Sequence, residues 1–407
     1  MRGIVLIGIG IGVLGIIAFM VWRREHSALP AETMSTPAAS PRASQSPLPR
    51  ATPSSSALPL SPSRAPSPSP AAPKLPIPRV TPLPSPVPAI TPSPSSVPTE
   101  QPSAIKLPTT LQPTSVFATP GLAYDVFLNN QYAYVADGDS GLLILDVSVP
   151  AAPRLRGMLA TKGPAHGVLV AGSYAYVAIY QAGLEVVNIA DPDHPYSVAV
   201  MSTPGYTKNL AFSGKILYLT NYQNGVLLVD IADPIHPRIR GTYLAGEMQV
   251  KDVAIFGTTA FVADALQGLI VLDVADPDHP ALIRAIKTKG SPLGITRIGS
   301  VFYIADDTAG IAVIDASDAR NPVLMTTYQT AGWAKGVVPF SKSLIAVASF
   351  EHDLGQILDV SDPRNPRQVS VYESSGKAHR VAVNATLMAL AADSAGVIVF
   401  DLSAQSR

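Results

Sequence analysis

Two positions that recur about every 42 residues hold most of the side chains in this chain that could do chemistry. The first reads Tyr124, His166, Lys208, Lys251, Leu293, Lys335 and His379, and the second reads Asp137, Ile179, Asn221, Asp264, Asp306, Ser349 and Asp393. Placed on one face of a ring, they set a circle of cations and imidazoles beside a circle of carboxylates. Such a rim suits recognition of a protein, a peptide or a glycan, and Trp333 and Tyr206 fall in the same loops, where aromatic side chains are frequent anchors. The competing reading is turn chemistry, with Asp-x-x-Gly segments and ion pairs that serve only the loops. A third set, Asp125, Asn209 and Asp252, opens the segments nearest the ring's centre and offers oxygen ligands for a hard cation.

The elements that must position these residues follow from one phrase, Gly268 to Pro280, which reads GLIVLDVADPDHP. A glycine, a continuous run of apolar, mostly β-branched residues, an acid and a Pro-x-His-Pro turn describe a strand and its exit. Because the apolar run does not alternate, the strand is expected to be covered on both faces. The phrase occurs seven times, its terminal residues being Asp146, Asn188, Asp230, Asp273, Asp315, Asp359 and Asp401. Their spacings of 42, 42, 43, 42, 44 and 42 residues are the blade period of a β-propeller. Each period carries three further apolar segments, such as Asp252 to Gly257, Thr259 to Asp264 and Ala281 to Lys287, which make four short strands of an antiparallel meander.

The phrases LLILD, LEVVN and LIVLD, most of them followed by a DP-x-x-P turn, resemble the LVIVD-repeat family of microbial surface proteins, and the resemblance covers all seven copies, from about Thr114 onward. It implies a β-propeller and carries no single activity with it. The chain ends six residues after Asp401, with no segment left for the outer strand of the last blade. Thr114 to Thr119 matches the outer strands in character and is expected to supply that strand, leaving no open edge.

Residues present in every copy serve the blade, and residues confined to a few copies can serve a site. By that test the terminal acids accept turn N–H groups. His194, His236 and His279, which share one repeat position with Asn321 and Asn365, are turn residues rather than metal ligands. The least regular loop, Ser349 to Gly355, bears Phe350, Glu351 and His352. No GxSxG, HExxH, Walker or Rossmann pattern is present. No cysteine is present either, so disulfides and thiolate zinc sites are excluded.

Gly3 to Val21 is apolar without interruption, and about 28 Å of helix at that length matches the hydrocarbon core of a bilayer. Trp22, Arg23 and Arg24 stand where a cleavage site would need small residues, so a membrane-spanning helix is expected rather than a signal peptide. From Ser27 to Pro113 the chain is Pro, Ser, Thr and Ala, with 24 prolines in 87 residues, the composition of a disordered spacer biased to polyproline II. Up to residue 115 there are nine Lys and Arg against three Asp and Glu, which leaves 20 against 26 for the repeats. A mildly acidic repeat domain without basic clusters argues against nucleic acid as a partner.

The expected organisation is therefore an anchor over residues 1–24, a Pro/Ser/Thr-rich stalk over 25–112 and an all-β, seven-bladed propeller over 113–407. The expected function is a single-pass, membrane-anchored, extracytoplasmic binding platform for a protein, a peptide or a cell-envelope glycan, with no cofactor. The positive-inside rule does not orient the span, and the stalk points to the outside. The alternative is a hydrolase that uses a cation bound in the channel at Asp125, Asn209 and Asp252, as propeller lactonases do.

Overall fold

The computed structural model describes residues 107–350, 353–374 and 377–405. The expected membrane helix, most of the expected stalk, Glu351 and His352 lie outside them. No helix among the described residues is long and apolar enough to cross a membrane.

Seven small sheets stand around a common axis. In blade 1 the strands Asp125–Asn129, Tyr132–Ala136, Leu142–Asp146 and Arg154–Leu159 pair antiparallel in chain order, from the centre outward. Blades 2 to 6 repeat this order, beginning with Gly167–Ala171, Thr207–Ser213, Val250–Phe256, Gly294–Ile298 and Trp333–Pro339. In blade 7 the strands Arg380–Val383, Leu387–Ala391 and Val397–Asp401 come from the end of the chain, and the fourth strand is Ser115–Phe117. Val116 stands opposite Ile398, and the Thr114 Oγ1 accepts the Asp401 N–H at 2.8 Å. Each innermost strand packs against the next, and Arg380–Val383 packs against Asp125–Asn129, which closes the circle.

The continuous apolar runs have a direct explanation in the core. The second and third strands of each blade alternate their side chains between two neighbouring blades, so both of their faces are buried. Ala133 and Val135 pack toward blade 7 with Leu387 and Val399, whereas Tyr134 and Ala136 pack toward blade 2 with Val168 and Val177. Seven such clusters, one per blade junction, make up the core.

The glycine that opens the third strand of each regular blade is required twice over. Gly268 has φ of 93°, and a Cβ there would stand 2.3 Å from the Ile286 carbonyl oxygen. Blade 6 departs from this pattern because Leu354 occupies the position. Beside it, a Cβ on Gly355 would strike the ring of Tyr372, which is wholly buried and donates its hydroxyl to the Val347 carbonyl at 2.7 Å. Blade 6 also carries a fifth strand. Thr110–Leu111, residues that composition groups with the stalk, pair parallel with Arg367–Glu373, and the Leu111 side chain is fully buried.

Candidate functional site

The seven residues of the entry position, from Tyr124 to His379, all line one cavity of about 300 Å³ at a mouth of the central channel, together with Asn209 and Arg380. Tyr124, His166, Leu293 and His379 immediately precede the innermost strand of their blade, and Lys208, Lys251 and Lys335 sit at a register shift near the start of theirs, so the ring of strands brings seven side chains distant in sequence to one place. Rings stack along the mouth. His166 lies between Tyr124 at 4.5 Å and Tyr180 at 4.6 Å, and Tyr180 stacks in turn on Tyr206 at 4.7 Å. On the other side His379 meets Tyr124 and Phe350 edge to face, and Phe350 stacks on Trp333. The gap in this arc is filled by ammonium groups over ring faces. Lys208 and Lys251 sit 4.9 and 4.4 Å from the centroid of Tyr222, and Lys335 sits 4.2 Å from that of Phe350. Trp333 and Tyr206 are half-buried rather than open to solvent.

The exit position is a correction to the sequence reading. Asp137, Asp264 and Asp306 do not face the mouth, for all three are fully buried. Asp137 accepts the Gly121 N–H at 2.7 Å, Asp264 accepts those of Gln249, Leu266 and Gln267, and Asp306 accepts the Thr288 hydroxyl and the Gly290 N–H. Each carboxylate thus ties the second strand's exit to the loop that enters the same blade. Burial pushes Asp137 and Asp306 above the usual carboxylate range, and the same hydrogen bonds oppose the shift.

The residue one step further along faces the mouth instead. That position reads Gly138, Tyr180, Tyr222, Ala265, Asp307, Phe350 and Asp393, so Asp393 aligns with Asp307 and the true counterpart of Asp306 in blade 7 is Ala392. The backbone explains the switch. Gly138, Tyr180, Asp307 and Asp393 each bridge to the entry loop of the following blade, with φ between 51° and 55°. This left-handed step turns Tyr180 onto His166 and Asp393 toward His379, beside the mouth. The Nε2 of His379 lies 3.2 Å from the Asp393 Oδ2.

Below the mouth lies a polar waist, and Asn209 and Arg380 also line a second cavity of about 320 Å³ beyond it, together with Asp125, Asp252 and apolar residues of the innermost strands. Arg380 belongs to blade 7 and reaches across the axis to blade 4, where its Nη1 meets the Asp252 Oδ2 at 2.8 Å. Asp252 also accepts the Val253 N–H, the Asn209 amide and the Ile295 N–H of the next blade. Asp125 accepts the N–H groups of Val126 and, one blade on, Val168. Of the three residues considered as ligands of a hard cation, Asp125 and Asp252 are therefore already committed to backbone, amide and guanidinium donors, and Asn209 turns its amide N–H to Asp252. The positive charge at this depth is the side chain of Arg380. Among the described residues no group of three or more His, Cys, Asp or Glu is placed to hold a metal ion.

Burial governs the charges of the site. It pushes Asp125 up to about 6, with Arg380 opposing the shift. It pushes His166 down to about 4, aided by Lys208, and His379 down to about 4, aided by Lys335 and opposed by Asp393. Lys251 and Lys335 are each lowered to about 8, chiefly by burial. At neutral pH the imidazoles are uncharged and the cations of the mouth are lysines.

On the opposite face the repeat is structural. In all seven copies the residue at the end of the third strand accepts the N–H two residues on, as Asp146 does from Ser148 and Asp401 from Ser403. His194, His236 and His279 pair through Nδ1 with Asp191, Asp233 and Asp276 of their own turns, each at 2.8 Å. They are turn residues and take no part in the mouth. Their turns also join blades, since Arg156 grips Asp193 and Arg240 grips Asp278 with two hydrogen bonds each.

Fold and mouth together define a closed seven-bladed propeller with a polar, aromatic channel entrance. The chain belongs to the LVIVD-repeat family, whose model, described as LVIVD repeat, matches residues 120–161, 162–203, 204–245, 248–288 and 298–330. No curated protein sequence matches it. Among solved structures, a chain of the mitotic checkpoint complex is similar at 12% identity and a TM-score of 0.61, over 79% of this chain and 98% of that one. The β-propeller domain of Cps50 (Swd1) from Myceliophteria thermophila is similar at 12% identity and a TM-score of 0.59, over 71% and 98%. The WD40 propeller of Doa1 is similar at 10% identity and a TM-score of 0.60, over 72% and 97%. At these identities the likeness is one of fold.

Proposed function

We propose that this protein is a membrane-anchored binding platform, carried by the apolar segment Gly3 to Val21 and a proline-rich stalk, that displays its propeller outside the cytoplasm. Its working surface is the channel mouth, and its partner is a protein, a peptide or a cell-envelope glycan. One observation carries this reading: every blade sends a side chain to a single open mouth, while the polar groups at the waist satisfy one another. A surface of that kind recognises. The similar propeller from the mitotic checkpoint complex belongs to a protein assembly, which agrees with such a role.

Two measurements test the proposal. Protease treatment of intact cells carrying a C-terminally tagged chain should remove the tag, and a tag protected until lysis refutes the external display. Capture from a cell-envelope fraction by the full chain should retain a component that the Trp333→Ala, Tyr206→Ala variant does not. Equal capture by a variant that folds as well as the parent refutes the mouth as the working surface.

A further inference from the structure

We propose that the channel mouth is a receptor for an oxyanion, a carboxylate or phosphate group inserted along the propeller axis between Lys208, Lys251 and Lys335. The inference rests on the platform reading and gives that surface a ligand chemistry.

The first ground is uncompensated charge. The three ammonium groups come from blades 3, 4 and 6, all line the same cavity, and all belong to half-buried residues. None forms an ion pair with a carboxylate among the described residues, although Arg380 directly beneath them is paired with Asp252. Asp264 and Asp307 attract Lys251, and Asp393 attracts Lys335, but in both cases burial outweighs the attraction. Cations withdrawn from water with only ring faces beside them and no counter-ion are costly, and a ligand anion removes that cost. Burial depresses the pKa of each of the three, as expected of ammonium groups that lack a direct counter-ion.

The second ground is the orientation of the rings. His166 is covered on one face by Tyr124 and on the other by Tyr180, and Tyr180 lies between His166 and Tyr206. A ring with both faces covered can line a cavity only with its edge. Aromatic edges carry the positive end of the ring quadrupole, whereas stacking of a sugar or a base needs a free face. The faces of Tyr222 and Phe350 are likewise occupied by lysine ammonium groups. Ammonium groups and ring edges converge on a space of about 300 Å³, room for one small polyanion or one or two acidic side chains.

The test is calorimetric titration of the full chain in neutral detergent with two kinds of oxyanion: free citrate or inorganic phosphate, and a blocked hexa-aspartate peptide. N-acetylglucosamine serves as the neutral control. Saturable binding of an oxyanion is expected, weakened at least tenfold in Lys251→Met and Lys335→Met and lost in the variant with all three lysines replaced by Met. Lys215→Met, a change at an exposed hairpin, should leave it intact. A tighter fit for the peptide assigns the anion to a partner chain, and a tighter fit for citrate or phosphate assigns it to a free small molecule. Because each methionine keeps the packing of the stem and removes an unpaired charge, the triple variant should also melt higher than the parent, which separates lost binding from lost folding. Absence of saturable heat in both arms, undiminished heat in the triple variant, or preference for the neutral sugar overturns the proposal. Partner capture that survives the triple variant while no oxyanion binds refutes this inference alone. Capture that fails while oxyanions still bind refutes the platform alone.

Discussion

Replacing Arg380 by methionine should be among the most destabilising single changes in this propeller. The guanidinium lies across the channel axis and meets Asp252 at 2.8 Å, with side-chain exposures of 20% and 8%. Methionine fills a similar length but leaves the Asp252 carboxylate with only its N–H donors and removes the cation that holds Asp125 down. Breaking a buried pair by deleting one partner costs about 3–5 kcal/mol. For a domain of about 300 residues, with an unfolding entropy of about 0.6 kcal/mol per kelvin, that is a fall in Tm of about 5–8 °C. The loss depends on pH, and its sign is fixed. Asp125 already has a folded pKa of about 6, above its usual 3.8, so its protonated form is favoured by folding and its contribution falls as pH rises from about 4 through 6. Without Arg380 the folded value rises further, and the variant should lose more stability at pH 7 than at pH 5. Thermal melts of the parent, Arg380→Met, Asp252→Asn and the double variant complete the measurement, and the double variant should recover much of the loss because no lone charge is left on that pair. A fall of less than about 2 °C for Arg380→Met, or strict additivity in the cycle, refutes the pairing as a structural tie.

Three further outcomes follow from the same structure. His166 and His379, both held near 4 against an ordinary 6.5, take up protons more readily when unfolded, so the imidazole contribution to stability should be flat above pH 7 and fall between 6.5 and 4, by up to about 3 kcal/mol for each imidazole, against the opposite slope of Asp125. Replacing both by Gln should flatten that part of a stability profile in urea, and an unchanged slope counts against it. Deletion through Lys106 should leave the melting temperature unchanged, deletion through Gln112 should cost about 2–3 kcal/mol by removing the buried Leu111, and deletion through Ala118 should cost more by opening the edge of blade 7. Equal melts for all three truncations refute both strand assignments. Gly268→Ala, with its Cβ against a carbonyl oxygen, should destabilise by about 2–3 kcal/mol, whereas Gly257→Ala, with a φ of 59° and nothing within 4 Å of its Cβ, should cost about 1 kcal/mol. Denaturant midpoints that fail to separate the two refute the close approach.

The period and the composition of one repeat were enough to define the architecture. An uninterrupted run such as LIVLD can be satisfied only between two apolar neighbours, and seven evenly spaced copies leave a ring of sheets as the arrangement that buries them all. Internal comparison likewise separated the turn residues Asp146 to Asp401 and His194, His236 and His279 from the entry position that lines the mouth. What the linear chain left undetermined was direction. Asp137 and Gly138, or Asp306 and Asp307, are adjacent in their turns, and only the bridge to the following blade turns one under the loop and the other toward the mouth. The waist was beyond reach for a similar reason. Arg380 and Asp252 lie 128 residues apart in different blades and become partners because closing the circle sets them across the same few ångströms of channel.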